Sequence, residues 1–461
     1  MESKCRWGVL AVAAIAQLLV VLDVSVVNIA LPEIGQALAL TAKDIQWVAG
    51  GYSLAFAAAL LAGARIADTH GVRRVFVIGT AAFVSASVVG GLAPTGSVLI
   101  VARIAQGVAA AVVSPATFTL LTTTYPEGPT RTRALAVWTA VSVAGGGVGN
   151  IVGGALTEYV SWRSVLLINL PIGITVLALA FRYVPRPSLS MRPSVDLLGA
   201  ALAAAGLGGC TLAVSELGDD GSTAVSTAAA LLGLVGTVGF VVQQRRSPNP
   251  LVPARLFADR ILVTGNVLTL LTGAVFQVPI WFFLTYHMQQ SLDLTPVQAA
   301  FGFLPLTTAV VITSVALTPR LLDRYPPHRI AAAGAALASI GLVSASLATD
   351  SDAYLFAVGI PSILIGIGGG LLNTPLATAV SAGVAPDDAG AASGLMNTSK
   401  QLGGAVGLAA LTLATGLADF RLASGLMAVL MGVTAAASFL LRSTKVAQYR
   451  SSSRGVRLTH D

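Results

Sequence analysis

Gly63 to Arg74 reads GARIADTHGVRR. It joins two apolar stretches, Trp47 to Leu61 and Val75 to Leu92. With its flanks, each is long enough to cross a bilayer as a helix. The link is very short and carries Asp68, His70, Arg73 and Arg74. Gly63 and Gly71 permit a tight turn or a close approach of two helices. Asp68 can accept backbone N–H bonds at the start of the next helix, or pair with a nearby arginine. On these residues alone the stretch is also a plain charged turn whose arginines stay on the cytoplasmic side.

Composition sets the class. The chain has 461 residues, of which 55% are hydrophobic and 10% charged. Soluble domains carry about 25% charged residues. The sequence therefore predicts an all-α polytopic membrane protein. A net charge of +7 suggests no nucleic-acid surface, because the basic residues sit in short links between apolar runs. Cys5 and Cys210 are far apart, and the four histidines form no ligand pattern, so neither disulfide nor metal spacing is present. No P-loop occurs, and no nucleophile–base constellation supports an enzyme. Lys4 and Arg6 precede a run that continues to about Ala30. That reads as a retained first helix rather than a cleaved signal.

The apolar pattern predicts spans at 8–30, 46–67, 75–93, 97–123, 135–157, 164–183, 196–216, 224–243, 262–285, 297–319, 329–348, 354–379, 399–417 and 421–441. Proline-rich links at Arg182–Asp196 and Gln243–Arg260 isolate one helix pair between two groups of six. The expected units are residues 1–185, an inserted pair at 186–245, a second bundle at 246–442 and a basic tail at 443–461. With the N-terminus inside, the outer face receives Lys43, Arg163 and Arg421. Arg103 lies within a span, and 23 of the 27 basic residues face the inside. This bias predicts 14 spans with both termini cytoplasmic. The link TPRLLDRYPPHR, Thr318 to Arg329, holds in the second group the place of GARIADTHGVRR in the first.

Three spans carry polar residues that lipid does not favour. The first contains LDVSVVNIALPEIG, Leu22 to Gly35. Asp23 there is costly unless it faces a cavity, pairs or takes up a proton; bonding to a neighbouring helix's backbone is the plainer alternative. Pro32 is expected to end the helix by removing a donor and clashing with the preceding turn. The fourth contains VARIAQGVAAAVVSPATFTLL, Val101 to Leu121, with Gln106 one turn beyond Arg103 on the same face. Arg103 keeps its proton, so it either pairs inside or snorkels to the outer interface. The fifth contains AGGGVGNIVGGAL, Ala144 to Leu156, whose glycines allow close helix approach.

These motifs together resemble the major facilitator superfamily, and within it the fourteen-helix drug:proton antiporters. The Gly–x4–Asp–x2–Gly–x–Arg–Arg link resembles the superfamily's loop between helices two and three. The Asp followed by Val-Asn-x-Ala-Leu-Pro, and the Arg-x2-Gln-Gly run, resemble the motifs of helices one and four. WRSVLLINLPIG, Trp162 to Gly173, and AGAASGLMNTSKQLGGAVG, Ala389 to Gly407, also resemble the subfamily. In the fifth-helix motif Asn150 stands where the family pattern has proline, which puts a kink there in doubt.

The resemblance implies two six-helix bundles plus two extra helices, working by alternating access. It implies a proton-coupled antiporter of the bacterial cell membrane, exporting amphipathic small molecules such as an antibiotic. The proton gradient is the energy source, with no cofactor and no ATP. The expected partners are substrate, protons and lipid, without nucleic acid, and the chain is expected to be monomeric. It assigns proton coupling to Asp23 and Arg103, and gating to Gly63, Asp68, Gly71, Arg73 and Arg74. Cavity lining or helix packing falls to Asn28, Gln106, Gly107, Gly149, Asn150, Gly153 and Gly154. Lys400 and Gln401 are expected near the cytoplasmic start of helix 13, as an anchor or a gate. Glu216, Asp219 and Asp220 read as a solvated outer loop. A non-drug metabolite exporter, an uptake carrier and a receptor without flux are the alternatives.

The topology has a direct check. An impermeant thiol reagent applied to intact cells should leave cysteines in the Arg245–Arg260 link unlabelled. Labelling from outside contradicts the fourteen-span arrangement.

Overall fold

Long apolar runs joined by links of a few residues leave the backbone one solution in lipid: every N–H and C=O must be satisfied within a helix. The computed structural model shows that outcome. It describes residues 2–126, 128–185, 196–216, 223–248, 250–351, 353–381, 384, 388–417 and 419–441. The proline link at 186–195 and the basic tail lie outside the described residues.

The first group of helices is α1 (Glu2–Ala37), α2 (Ala42–His70), α3 (Val72–Gly91), α4 (Gly96–Thr124), α5 (Pro129–Tyr159) and α6 (Trp162–Tyr183). Then come α7 (Leu197–Ser215) and α8 (Thr223–Arg246). The last group is α9 (Arg260–Ser291), α10 (Pro296–Arg324), α11 (Pro327–Leu347), α12 (Leu355–Ser381), α13 (Ala389–Thr415) and α14 (Phe420–Leu441). Among the described residues, 12 helices are long and apolar enough to cross a membrane. The remaining two, α2 and α13, are 29 and 27 residues long.

Local chemistry sets the ends. Thr41 opens α2 with a reciprocal capping box: its hydroxyl accepts from Asp44 N–H at 3.2 Å, and Asp44 accepts from Thr41 N–H at 3.0 Å. Gly71, at φ 87°, is the single residue between α2 and α3, a conformation that suits glycine. The predicted link from Gly63 to Arg74 is therefore mostly helix. Inside α6, Pro171 has no N–H for the carbonyl of Leu167, and the helix breaks at Ile168. α5 runs unbroken through Asn150. Pro32 does not end α1 as expected: the helix continues through it to Ala37, giving up only the bond to the Asn28 carbonyl. A π turn closes α9 at His287–Ser291, another interrupts α10 at Thr313–Leu317 and a third opens α12 at Leu355–Gly359.

Packing follows the small residues. α2 lies on α4, where Gly107 meets the backbone of Tyr52 and Gly63 meets that of Ala111. α1 lies on α5, where Gly149 and Gly153 face Ser25 and Val26. α9 lies on α13 through Gly273, Gly403 and Gly407. The two groups meet through α2 with α13, α5 with α10 and α1 with α9. α7 and α8 pack on each other, and α7 also touches both α2 and α13 at the seam. Asp196 ties this pair together: it caps Gly199 N–H at 2.8 Å and accepts from Gln243 and Gln244 at 2.9 and 3.1 Å. α8 shows Leu231, Leu234, Val235 and Val238 to the surroundings, as a lipid-facing helix does.

The structure moves one boundary that matters. α13 starts at Ala389, not near residue 399. Ser393, Asn397 and Thr398 dilute the hydropathy of its first turns, which hid them in the sequence. Lys400 thereby shifts from the helix start to its middle. Ahead of α13, Arg255 grips Asp388 with two bonds of 2.6 and 2.7 Å. These hydrogen bonds, and then the guanidinium charge, hold the Asp388 carboxyl below its ordinary range.

Candidate functional site

Asp23 sits midway along α1 with no accessible surface, and Arg103 on α4 keeps 1%. A lone charge at that depth is prohibitively costly, so the two must be paired or neutralised. They are paired: Arg103 Nη1 lies 2.5 Å from Asp23 Oδ2. Snorkelling of Arg103 to the outer interface is thus excluded in this conformation.

The other oxygen of Asp23 is held by neutral donors. Gln106 Nε2 donates to Oδ1 at 2.9 Å and Asn169 Nδ2 at 2.6 Å. Gln106 is one turn beyond Arg103, as the spacing predicted, and its Oε1 accepts from Arg103 Nη1 at 3.0 Å. Asn169 is the first residue after the break in α6, and that break aims its side chain inward. Ser87 of α3 accepts from Gln106 at 3.0 Å and Asn169 at 2.8 Å, and donates to Leu166 O at 2.9 Å. On the α2 side, Arg103 Nε donates to Val48 O at 3.3 Å, and the guanidinium stacks 4.6 Å from the Tyr52 ring.

The network therefore draws on α1, α2, α3, α4 and α6. Among the described residues, two of its buried atoms have no hydrogen-bond partner, Tyr52 Oη and Asn169 Oδ1. Ser87 and Tyr52 were not legible as site residues: neither stands out in an apolar helix. Asn169 had a signal, because it lies within the Trp162–Gly173 motif.

The remaining predicted residues fall elsewhere. Asn28 crosses between the bundles, donating to Thr285 Oγ1 at 3.3 Å. Gly154 faces the Pro296 carbonyl of α10 across the same seam, where a Cβ would lie 2.7 Å away. Gly107, Gly149 and Gly153 serve close packing within the first bundle. Asn150 is buried. In the turn, Gly63 packs on α4, and Arg74 is exposed. Arg73 donates to Phe181 O at 2.9 Å, at the last turn of α6. The Asp68 side chain lies outside the described residues.

A second cluster joins the bundles at the end that carries Lys43, Arg163 and Arg421. Gln289 Nε2 donates to Ile29 O at 2.8 Å, and Val297 N–H donates to Glu158 at 3.0 Å. Gln46 of α2 accepts from Thr412 of α13 and donates to Ser215 of α7, both at 2.7 Å. Glu216 is not a solvated loop residue: it is 7% exposed and pairs with Lys43 at 2.5 Å. The two bundles are zipped at this arginine-poor end.

Comparison with known proteins agrees with this architecture. The profile of the Major Facilitator Superfamily matches residues 13–408. The chain is 48% identical over 413 residues to the cephamycin export protein of Amycolatopsis lactamdurans, covering 88% of this chain and 84% of that protein. It is 38% identical to the puromycin resistance protein of Streptomyces alboniger, covering 89% and 82%. It is 34% identical to the lincomycin resistance protein of Streptomyces lincolnensis, covering 88% and 84%. In fold it is similar to a bacterial homolog of the human lysosomal transporter Spinster, solved inward-facing and unoccupied. That match has a TM-score of 0.67 at 15% identity, covering 95% and 97%.

The pair makes a measurable prediction. Asp23→Asn strands the Arg103 cation and Arg103→Gln strands the Asp23 carboxylate, so each should destabilise the protein by about 3–5 kcal/mol. The double variant removes both charges. It should lose less than the sum of the singles, by roughly 2 kcal/mol or more. Unfolding of the purified proteins in detergent measures this, and additive losses contradict the pairing.

Proposed function

The chain belongs to the Major Facilitator Superfamily, and on that premise we propose that it is a proton-coupled antiporter exporting amphipathic small molecules from a bacterial cell. An antibiotic or another toxic compound is the expected cargo. Relatives named for cephamycin export and for puromycin and lincomycin resistance support this class of substrate. The protein is a multi-pass protein of the cell membrane. In our reading α1 to α14 all cross it, both termini lie on the arginine-rich inner side, and α1–α6 and α9–α14 form two bundles flanking the α7–α8 pair. One chain suffices, and the proton gradient alone supplies the energy.

The observation that carries the coupling is the buried Asp23 network. With the carboxylate charged, Arg103 and two amides hold it, and α1 is tied to α4 and α6. A proton on Asp23 cancels its attraction for Arg103. Arg103 then keeps only Val48 O, Gln106 Oε1 and the Tyr52 ring, a weaker hold than the carboxylate gave. The new O–H of Asp23 needs an acceptor, and the unpartnered Asn169 Oδ1 supplies one after rotation of its amide. Protonation thus swaps one set of helix contacts for another. Binding of a proton from the acidic outside and its release inside would each favour a different orientation of the bundles. The contacts at Gln46, Glu158 and Gln289 close the outer end in the conformation seen here and must part in the other.

Proteoliposomes carrying an imposed pH gradient provide the test. Asp23→Asn should abolish gradient-driven efflux while substrate binding in detergent persists on the same preparation. Efflux that still follows the gradient in this variant removes Asp23 from the coupling.

A further inference from the structure

The polar strip along the first half of α13 has no place in the network above. Ser393, Asn397, Lys400 and Gly404 recur at three- and four-residue spacing and so share one face. Ser393 and Asn397 are exposed, Lys400 is half-buried, and Gly404 is buried against Gln277 of α9. The strip therefore opens at the inner end and closes toward the outer one. Its flanks locate it. On one side Gly403 and Gly407 pack on Leu270 and Ala274 of α9. On the other, Leu408 and Thr412 meet Gly50 and Gln46 of α2 in the opposite bundle. The strip faces the gap between the bundles. A serine, an asparagine and a lysine on an exposed mid-membrane face mean a water-filled cleft, not lipid.

Lys400 is the charge in that cleft. It lies about 16 Å along the helix from Ala389, at 1.5 Å per residue. Protein surrounds it, yet its side chain keeps accessible surface. Among the described residues its ammonium has neither a hydrogen bond nor an ion pair. A cation placed so deep without a partner carries a desolvation cost that an incoming anion relieves. A membrane-surface anchor belongs at a helix end, and Lys400 is in the middle.

We infer that Lys400 is the anchoring cation of the substrate site, and that the exported compounds it selects are amphipathic molecules bearing a carboxylate. The inference rests on the export reading above and names its substrate class. The ligand's carboxylate takes a charge-assisted bond from Lys400 Nζ, and its apolar body is buried against the walls of the cleft. Such a bond should favour an acid over its neutral ester by about tenfold or more.

The probes are dansylglycine and its methyl ester, which share one apolar body. Fluorescence binding to the full-length protein in detergent is measured against protein-free micelles. Wild type should bind the acid at least about tenfold more tightly than the ester. Lys400→Gln should bind both alike, and Lys400→Arg should retain the preference. Thermal unfolding of each variant confirms the fold. If Lys400→Gln does not fold, the acid-to-ester ratio of wild type and Lys400→Arg still decides. No acid preference in wild type, or an undiminished preference in Lys400→Gln, overturns the assignment. Intact acid-selective binding without gradient-driven efflux counts against the export reading alone.

Discussion

A carboxylate and a guanidinium cannot sit apart in the hydrocarbon core of a membrane protein, and much of this structure follows from how Asp23 and Arg103 meet. Bringing them into contact requires α1 and α4 to pack side by side. Holding the second carboxylate oxygen requires Gln106 one turn along α4 and Asn169 at a break in α6. Pro171 creates that break. Gly107 allows α2 close enough to α4 for Tyr52 to cover the guanidinium. Each of these residues makes sense only around the ion pair. A buried pair of this kind is weak as a source of stability. In the proposed cycle its value lies in having two protonation states whose contacts differ.

The contacts between the bundles are of another kind. Near the arginine-poor end they are single hydrogen bonds from Asn28, Gln46, Glu158 and Gln289, spread over several helix ends. Each is modest on its own, on the order of 1 kcal/mol. A seam built this way holds one conformation without locking it. The inserted pair joins this seam, because Ser215 and Glu216 at the end of α7 bind Gln46 and Lys43. α7 and α8 are therefore not passive lipid-facing ballast on the seam: one of them touches both bundles.

What could be read from the sequence depended on contrast. Asp23 and Arg103 were visible because charge is rare in apolar helices, and Gln106 because its spacing put it beside Arg103. The helices themselves were visible as apolar runs. Ser87 and Tyr52 gave no contrast, since a serine or a tyrosine in a membrane helix is ordinary. α13 failed for the opposite reason: its first turns carry the exposed polar residues Ser393 and Asn397, so their polarity imitates a loop. Glu216 failed because a loop-end carboxylate reveals nothing of a lysine more than 170 positions earlier that closes on it. Long-range pairing and inward-facing polarity are set by the packing, and periodicity along one chain does not encode them.

The central claim is that Asp23 changes protonation state during the transport cycle. Infrared difference spectroscopy of the reconstituted protein observes this directly, because a protonated carboxyl has a C=O stretch distinct from that of a carboxylate. Acidifying the sample should produce such a band, substrate binding should shift or remove it, and Asp23→Asn should lack it. A transport-competent protein whose carboxyl bands are the same with and without Asp23 would contradict the account.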